Sequence, residues 1–231
     1  MEHLAIYLDL DGVLADFDHG VWALGFDIDP HVRNQLNVTG STNPLKQDIY
    51  DKIKGTAFYA GLRSMAGAVP LLQLCSPAIP FFLTAAPKFG ATEDDYFLNP
   101  YWLGAAYHKR RWIESHLLRE ARSGFTTDSP ATIRDEQFIC TTSRRKIESM
   151  HRKKSDHQVL VDDRIDNCEA WAAAGGIAIF HQPPVELGRP PGYRNTMNAL
   201  IEVAQSAPGT YDGQVLLKPH FGFHHLVAEV R

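Results

Sequence analysis

Cysteine is scarce in this chain and is never closely spaced. The three cysteines are Cys75, Cys140 and Cys168, and each lies in or beside an apolar run of the 231-residue sequence. An odd number of widely separated cysteines excludes a disulfide framework and a cysteine-based zinc site. We therefore expect a protein of a reducing, cytoplasmic compartment.

Basic residues are not in excess, and long apolar runs are missing. Lys and Arg number 23 against 27 Asp and Glu, which gives a formal net charge of −4. A nucleic-acid polymer is bound mainly through cations that contact phosphates, so we expect none as the main partner. No apolar run is long enough to span a membrane, and the first residues lack the basic region of a signal peptide, so we expect no membrane association.

The most informative stretch is residues 5–17, an apolar run that leads into two acids. Asp9 and Asp11 are two residues apart, and Gly12 follows them. Side chains two apart on a strand point the same way, and a glycine permits a sharp turn after the strand. Acids in an apolar setting require a metal or another cation, so the stretch indicates a divalent-ion site. The alternative, which these residues alone leave open, is an ordinary Asp-Gly turn.

Strand-like apolar runs alternate with segments of helical periodicity along the rest of the chain. After the first strand, we predict strands at 79–84, 137–141, 159–163 and 177–180. We predict helices at 62–75, 108–122, 166–174 and 195–205. This alternation predicts an α/β fold with a Rossmann-like parallel sheet.

Polar residues follow three of the predicted strands. Asp9 and Asp11 follow the first strand, Thr84 the second, and Asp162 and Asp163 the fourth. The carboxyl ends of parallel strands share one edge of a sheet, and ligands of open α/β sheets bind there. The sequence therefore predicts that these five side chains meet at one site.

The segment between the first strand and the first long helix is too long for a simple connection. We interpret residues 15–62 as a small, mostly helical cap, because its large apolar side chains need a surface to cover. The alternative is an irregular loop region. The remaining predicted parts are a core of 1–14 and 63–207 and a C-terminal tail of 208–231.

Two further segments are predicted to be irregular. Residues 88–107 have the composition of a polar, aromatic loop. The tail contains His220, His224 and His225, which are metal-ligand types, but no acidic or cysteine residue is interleaved with them. We interpret them as a surface tail.

At this point the motifs resemble those of a known family. Residues 9–14, Leu83-Thr84 and 161–163 resemble the first, second and fourth motifs of the haloacid dehalogenase (HAD) superfamily of phosphohydrolases. The 5′(3′)-deoxyribonucleotidase-like branch is the closer match, over segments 11–17, 58–68, 109–113 and 162–167. The resemblance covers about residues 5–182 and implies the HAD fold, with the cap inserted after the first strand.

The sequence departs from that family pattern at two positions. Ala85 stands where family members often carry a hydroxyl residue. The third-motif lysine usually lies closer before the paired acids than Lys146 does here, so Lys153 and Lys154 stay open as alternatives.

The resemblance also implies a chemistry. Mg²⁺ would be held by Asp9, Asp162 and the backbone carbonyl of Asp11, with Asp163 supporting the metal shell. Asp9 would attack phosphorus, and Asp11 would serve as general acid and then as general base. Thr84 and Lys146 would hold the phosphoryl oxygens.

For the substrate, the resemblance implies a nucleoside monophosphate. We expect Phe17 to stack on the base, and Ala85, Tyr59 and Lys109 to contribute to substrate binding. Two alternatives stay open: a phosphatase of another small metabolite, and a catalytically idle nucleotide-binding relative. The sequence leaves the oligomeric state open, a homodimer included.

Overall fold

The structure is a computed structural model in which six parts of the chain are described. These parts are residues 1, 3–28, 44–86, 100–122, 132–182 and 192–218. The histidines of the predicted tail lie outside the described residues, as do residues 88–99 of the loop predicted at 88–107, whose remaining residues are helical.

A parallel sheet forms the centre of the molecule, with strand order β3-β2-β1-β4-β5-β6. All five strand pairs are parallel. The strands are β1 Leu4–Leu8, β2 Phe81–Ala85, β3 Phe138–Thr141, β4 His157–Asp162, β5 Ile177–Phe180 and β6 Val215–Leu216. The predicted α/β class with a Rossmann-like parallel sheet is confirmed. The prediction of five strands was wrong, because Val215–Leu216 of the predicted tail pairs with β5.

The first strand is buried on both of its faces, which explains its unbroken apolar sequence. Leu4, Ile6 and Leu8 pack into one hydrophobic cluster. Ala5 and Tyr7 pack into a second cluster, because successive side chains of a strand point to opposite faces. The strand therefore lies in the core, and the acids that follow it begin where the core ends.

The described helices lie between and after the strands. They are α1 Phe17–Ala23, α2 Pro44–Ile53, α3 Ala68–Cys75, α4 Pro100–Trp112, α5 Leu118–Arg122, α6 Ile165–Ala173 and α7 Tyr193–Gln205. Short 3₁₀ helices occupy Phe58–Gly61, Ser76–Ala78, Asp135–Gln137 and Ser143–Ser149. Within these described ranges, none of the helices is both long and apolar enough to cross a bilayer.

The four predicted helix starts differ from the observed ones: α7 begins at Tyr193 instead of Asn195, and the other three differ for local reasons. Helix α3 begins at Ala68 instead of Leu62, because the residues before it pair with the chain that leaves β1. Helix α4 begins at Pro100 instead of His108, with proline at a first-turn position that needs no N–H. Helix α6 begins at Ile165 with Arg164 as its N-cap, so the predicted N-cap of Asp166 and Asn167 was wrong.

The predicted insertion, residues 15–62, contains α1, α2 and the 3₁₀ helix Phe58–Gly61 within its described part. Its outgoing and returning connections pair with each other. The backbone N–H of Asp16 donates to Arg63 (2.9 Å), and that of Met65 donates to Leu14 (2.9 Å). The Arg63 guanidinium also contacts the Asp16 carboxylate at 3.0 Å. These hydrogen bonds and the ion pair join the two ends of the insertion to each other, while its boundaries at 15 and 62 stay a prediction.

Trp171 of α6 holds the helix layer against the sheet, and its removal should destabilise the fold. The side chain is fully buried, contacts Tyr7 at 4.9 Å between ring centroids, and donates from Nε1 to the Gln158 carbonyl. We expect Trp171→Ala to lower the free energy of unfolding in urea by about 3–5 kcal/mol. Trp22→Ala is the matched control, because that tryptophan is half exposed and should cost under about 1 kcal/mol. Equal losses in the two variants would contradict this account.

Candidate functional site

The sheet order brings the polar strand ends together. Strand β1 lies between β2 and β4, so Asp9, Thr84 and Asp162 come from three neighbouring strands. The backbone N–H of Asp9 still donates to Val161 of β4 at 3.0 Å, which extends the pairing by one residue. The acids therefore lie at the carboxyl edge of the sheet, as the alternation of strands and helices predicted.

Three of these acids form a cluster. Asp9, Asp162 and Asp163 each offer a carboxylate oxygen, and these oxygens lie within 4.8 Å of one another. All three residues are buried. Burial, followed by repulsion from Asp162 and Asp9, raises the pKa of Asp163 well above its ordinary value. The cluster holds its carboxylates together against their mutual repulsion.

Lys146 neutralises part of this charge. Its Nζ lies 2.7 Å from Oδ2 of Asp162 and 2.9 Å from Oδ2 of Asp9, and its side chain is 2% exposed. Burial disfavours the ammonium, but the two carboxylates outweigh burial and raise the pKa of Lys146. Three carboxylates against one ammonium leave an excess of negative charge, so the donor set suits a divalent cation that prefers oxygen ligands.

The position of Lys146 distinguishes it from the two alternative lysines. Lys153 donates to the carbonyls of Leu4 and Ala78, at the opposite edge of the sheet, and Lys154 is exposed. The 3₁₀ helix Ser143–Ser149, which follows β3, brings Lys146 back toward the acids despite its separation from them in sequence.

Asn167 is a site residue that the sequence reasoning missed. Its side-chain amide donates to both oxygens of Asp162, at 3.1 and 3.0 Å. The backbone N–H of Arg164 donates to Oδ1 of the same carboxylate. Burial still raises the pKa of Asp162, with Lys146 opposing. The signal in the sequence was an amide in the first turn of a helix that begins just after the paired acids.

Asp11 does not join the acid cluster, although it lies only two residues from Asp9. Its Oδ2 accepts from Nζ of Lys109 at 2.6 Å, while its Oδ1 is buried and has no hydrogen-bond partner among the described residues. Lys109 also donates to Oγ1 of Thr84 at 2.9 Å and to the Ala85 carbonyl at 2.8 Å. The two aspartates of the first motif thus have different lysine partners.

Gly12 separates these two environments. Its φ of +81° lies in the region that favours glycine. A Cβ atom at this position would lie 2.1 Å from Oδ2 of Asp163, closer than any real contact. Gly12 therefore permits both the turn after the strand and the close approach of Asp163.

The predicted aromatic residues form one contact group. The ring of Phe17 lies 5.5 Å from that of Phe58 and 6.3 Å from that of Tyr59. Tyr59 is 3% exposed, and Nζ of Lys109 lies 4.6 Å from its ring centroid. Phe17 is only partly buried, so of the two aromatic residues predicted to bind the substrate it has the more accessible ring.

Tyr50 is a second residue that the sequence reasoning did not select for the site. It lies on α2, and burial together with the Asp11 carboxylate raises its pKa to about 12, with Arg164 opposing. The Asp11 carboxylate therefore lies close enough to the phenol to disfavour its ionisation. Helix α2 consequently brings the insertion between β1 and β2 near the site.

The structure thus brings most of the predicted site residues into two adjoining groups. One group contains Asp9, Asp162, Asp163 and Lys146, and the other contains Asp11, Thr84, Ala85, Lys109 and Tyr59. The carboxylate of Asp11 lies outside the acid cluster formed by Asp9, Asp162 and Asp163 in the described part of the chain, which leaves its backbone carbonyl as the predicted ligand atom. The roles predicted for these residues stay predictions.

No protein-family model matches the chain, and no curated protein does. A solved structure of a HAD family hydrolase from Deinococcus radiodurans R1, crystallised with bound phosphate and sodium, is similar over 90% of this chain and 100% of that one. The sequence identity is 16% and the TM-score is 0.47.

The raised pKa of Asp163 predicts that replacing this acid stabilises the cation-free protein. A carboxyl whose folded pKa is raised weakens the fold above its ordinary pKa, and this penalty disappears below about pH 4. We expect Asp163→Asn to raise Tm in EDTA at about pH 7, by roughly 2–4 °C for each kcal/mol relieved, and to lose this advantage near pH 4. Added Mg²⁺ should stabilise the wild-type chain more than the variant.

Asp166→Asn is the matched control for this measurement. Arg164 holds the pKa of Asp166 below its ordinary value despite partial burial, so the amide should leave Tm unchanged or lower it. An Asp163→Asn protein that melts below the wild-type chain in EDTA would show that the acid cluster is not under electrostatic strain.

Proposed function

We propose that this chain is a Mg²⁺-dependent phosphatase of the HAD superfamily that hydrolyses nucleoside monophosphates through an aspartyl-phosphate. The observation that carries the proposal is the pairing of Asp9 and Asp11 with two different buried lysines. A nucleophile and a proton donor need different environments, and here they are two residues apart in sequence.

In the first step, a carboxylate oxygen of Asp9 attacks phosphorus. The bond between phosphorus and the leaving oxygen breaks, its electron pair stays on that oxygen, and Asp11 supplies the proton. The products are the free alcohol and an aspartyl-phosphate on Asp9. In the second step, water attacks this phosphorus, Asp11 accepts a proton from the water, and the bond to Asp9 breaks to release phosphate.

Charge has to be offset for an anionic ester to approach an anionic carboxylate. Mg²⁺ would be held by Asp9, Asp162 and the Asp11 carbonyl, with Asp163 in support, and would supply this offset when bound. Within the described residues Lys146 contacts two carboxylates, which leaves one N–H for a phosphoryl oxygen. The Thr84 hydroxyl accepts from Lys109 and so keeps its own proton to donate to the same group.

The nucleotide part of the proposal is supported by the aromatic residues between β1 and β2. Phe17 follows the acidic turn directly and begins α1. Its ring is partly exposed and is held at its edge by Phe58. A planar base can stack on such a ring, whereas a sugar phosphate has no planar group to place there.

A phosphate-release panel tests both parts of the proposal. We expect the chain with Mg²⁺ to release phosphate from deoxy- and ribonucleoside monophosphates, and EDTA to abolish this release. Asp9→Asn should lower kcat by at least about 10⁴-fold in a protein that still folds in EDTA, because the amide cannot attack phosphorus. Wild-type activity in Asp9→Asn would refute the aspartyl-phosphate, and a preference for sugar phosphates over nucleotides would refute the substrate class.

The role of Asp11 predicts a dependence on the leaving group. An alkoxide is a poor leaving group and needs a proton, whereas p-nitrophenolate leaves without one. We expect Asp11→Asn to lower kcat for a nucleoside monophosphate by about 10²–10⁴-fold. With p-nitrophenyl phosphate, the rate of the aspartylation step, measured as the burst of p-nitrophenol, should fall much less. If both substrates lost the same factor in this step, Asp11 would not be the general acid.

A further inference from the structure

We propose that Lys109 is a positioning residue that orients the carboxyl group of Asp11 for proton transfer, and that it does not bind the substrate itself. This inference rests on the proposed function. It changes the expectation from the sequence, which placed Lys109 among the substrate-binding residues.

The hydrogen bonds of Lys109 carry the inference. A lysine ammonium has three N–H donors and no acceptor. All three have partners here: Oδ2 of Asp11 at 2.6 Å, Oγ1 of Thr84 at 2.9 Å and the Ala85 carbonyl at 2.8 Å. The side chain is 2% exposed, and the ring of Tyr59 lies 4.6 Å from Nζ. No N–H of this ammonium remains for a phosphoryl oxygen.

The carboxyl group of Asp11 shows the complementary pattern. Its Oδ2 is held by Lys109, and its Oδ1 is buried without a hydrogen-bond partner in the described part of the chain. An unpaired buried oxygen is costly, and such atoms in native structures require an explanation. Transfer of a proton to the leaving oxygen, and later from the attacking water, explains it, because the lysine contact fixes one carboxyl oxygen and leaves the other for the reaction.

The position of Lys109 is fixed by its own helix, α4, and by the end of the insertion against which α4 packs. Trp112, almost one turn later on α4, is 1% exposed and donates from Nε1 to the Leu62 carbonyl at 2.6 Å. Leu62 lies next to the 3₁₀ helix Phe58–Gly61, which carries Tyr59. Helix α4 is thereby tied to the end of the insertion, and the ammonium is placed between the insertion and the strand ends.

The decisive experiment is a double-mutant cycle on Lys109 and Asp11. In the wild-type background, we expect Lys109→Met to lower kcat for a nucleoside monophosphate by at least about 30-fold. KM and the Kd of inorganic phosphate should stay within about threefold of the wild-type values. The rate of the p-nitrophenol burst should fall by a smaller factor than kcat for the nucleotide. In the Asp11→Asn background, the same substitution should cost less than about threefold, because its effect acts through Asp11.

Two results would overturn the inference. One is a cycle in which the factors by which the two substitutions lower kcat multiply in the double variant. The other is a Lys109→Met protein whose affinity for phosphate falls in proportion to its kcat. A wild-type chain that is inactive on every ester would instead refute the proposed function, and the positioning role with it. An active enzyme in which Lys109→Met matches the wild type would refute the positioning role alone.

A control and a second variant separate positioning from folding. Lys153→Met also removes a lysine that donates to backbone carbonyls, but at the far edge of the sheet, and should leave kcat within about twofold. If Lys109→Met does not fold, Lys109→Ala assayed with added propylamine replaces it. The amine should then restore kcat for the nucleotide by at least about tenfold, and a failure to do so in a folded protein would contradict the inference.

Discussion

Repulsion among buried carboxylates is the constraint on which this site depends. Asp9, Asp162 and Asp163 place oxygens within 4.8 Å of one another, and among the described residues Lys146 forms ion pairs with two of them. Such an arrangement persists because the sheet imposes it: β1 and β4 pair over five residues, so the residues that follow these strands have no freedom to separate. The sheet thus fixes carboxylates that would otherwise move apart. Carboxylates held together in this way favour the binding of a cation.

The two lysines divide this charged region into parts with different chemistry. Lys146 contacts the acids of the cluster, whereas Lys109 contacts Asp11 and Thr84. Both ammonium groups are buried, so neither carries a shell of water that would weaken its contacts. Asp9 and Asp11, two residues apart, therefore experience different surroundings, and the proposed division into nucleophile and proton donor follows from that difference.

The sheet and the meeting of its acidic strand ends could be predicted from the sequence, because both follow from the alternation of strands and helices. Contacts made by side chains far apart in sequence could not. The bond of Asn167 to Asp162, the proximity of Tyr50 to Asp11 and the full pairing of Lys109 depend on how helices are placed on the sheet. Local patterns also misled where tertiary structure prevailed: Ile79, predicted as a strand residue, has a left-handed φ of 54°.

The paired connections of the insertion have a consequence for how such a protein can diversify. Residues 14–16 and 63–65 hydrogen-bond to each other, and the ion pair of Asp16 with Arg63 closes the same point. Everything between them therefore starts and finishes at one place on the core. A lineage can lengthen, shorten or exchange that intervening segment while the spacing of β1 and β2 and the acids at the strand ends stay unaltered.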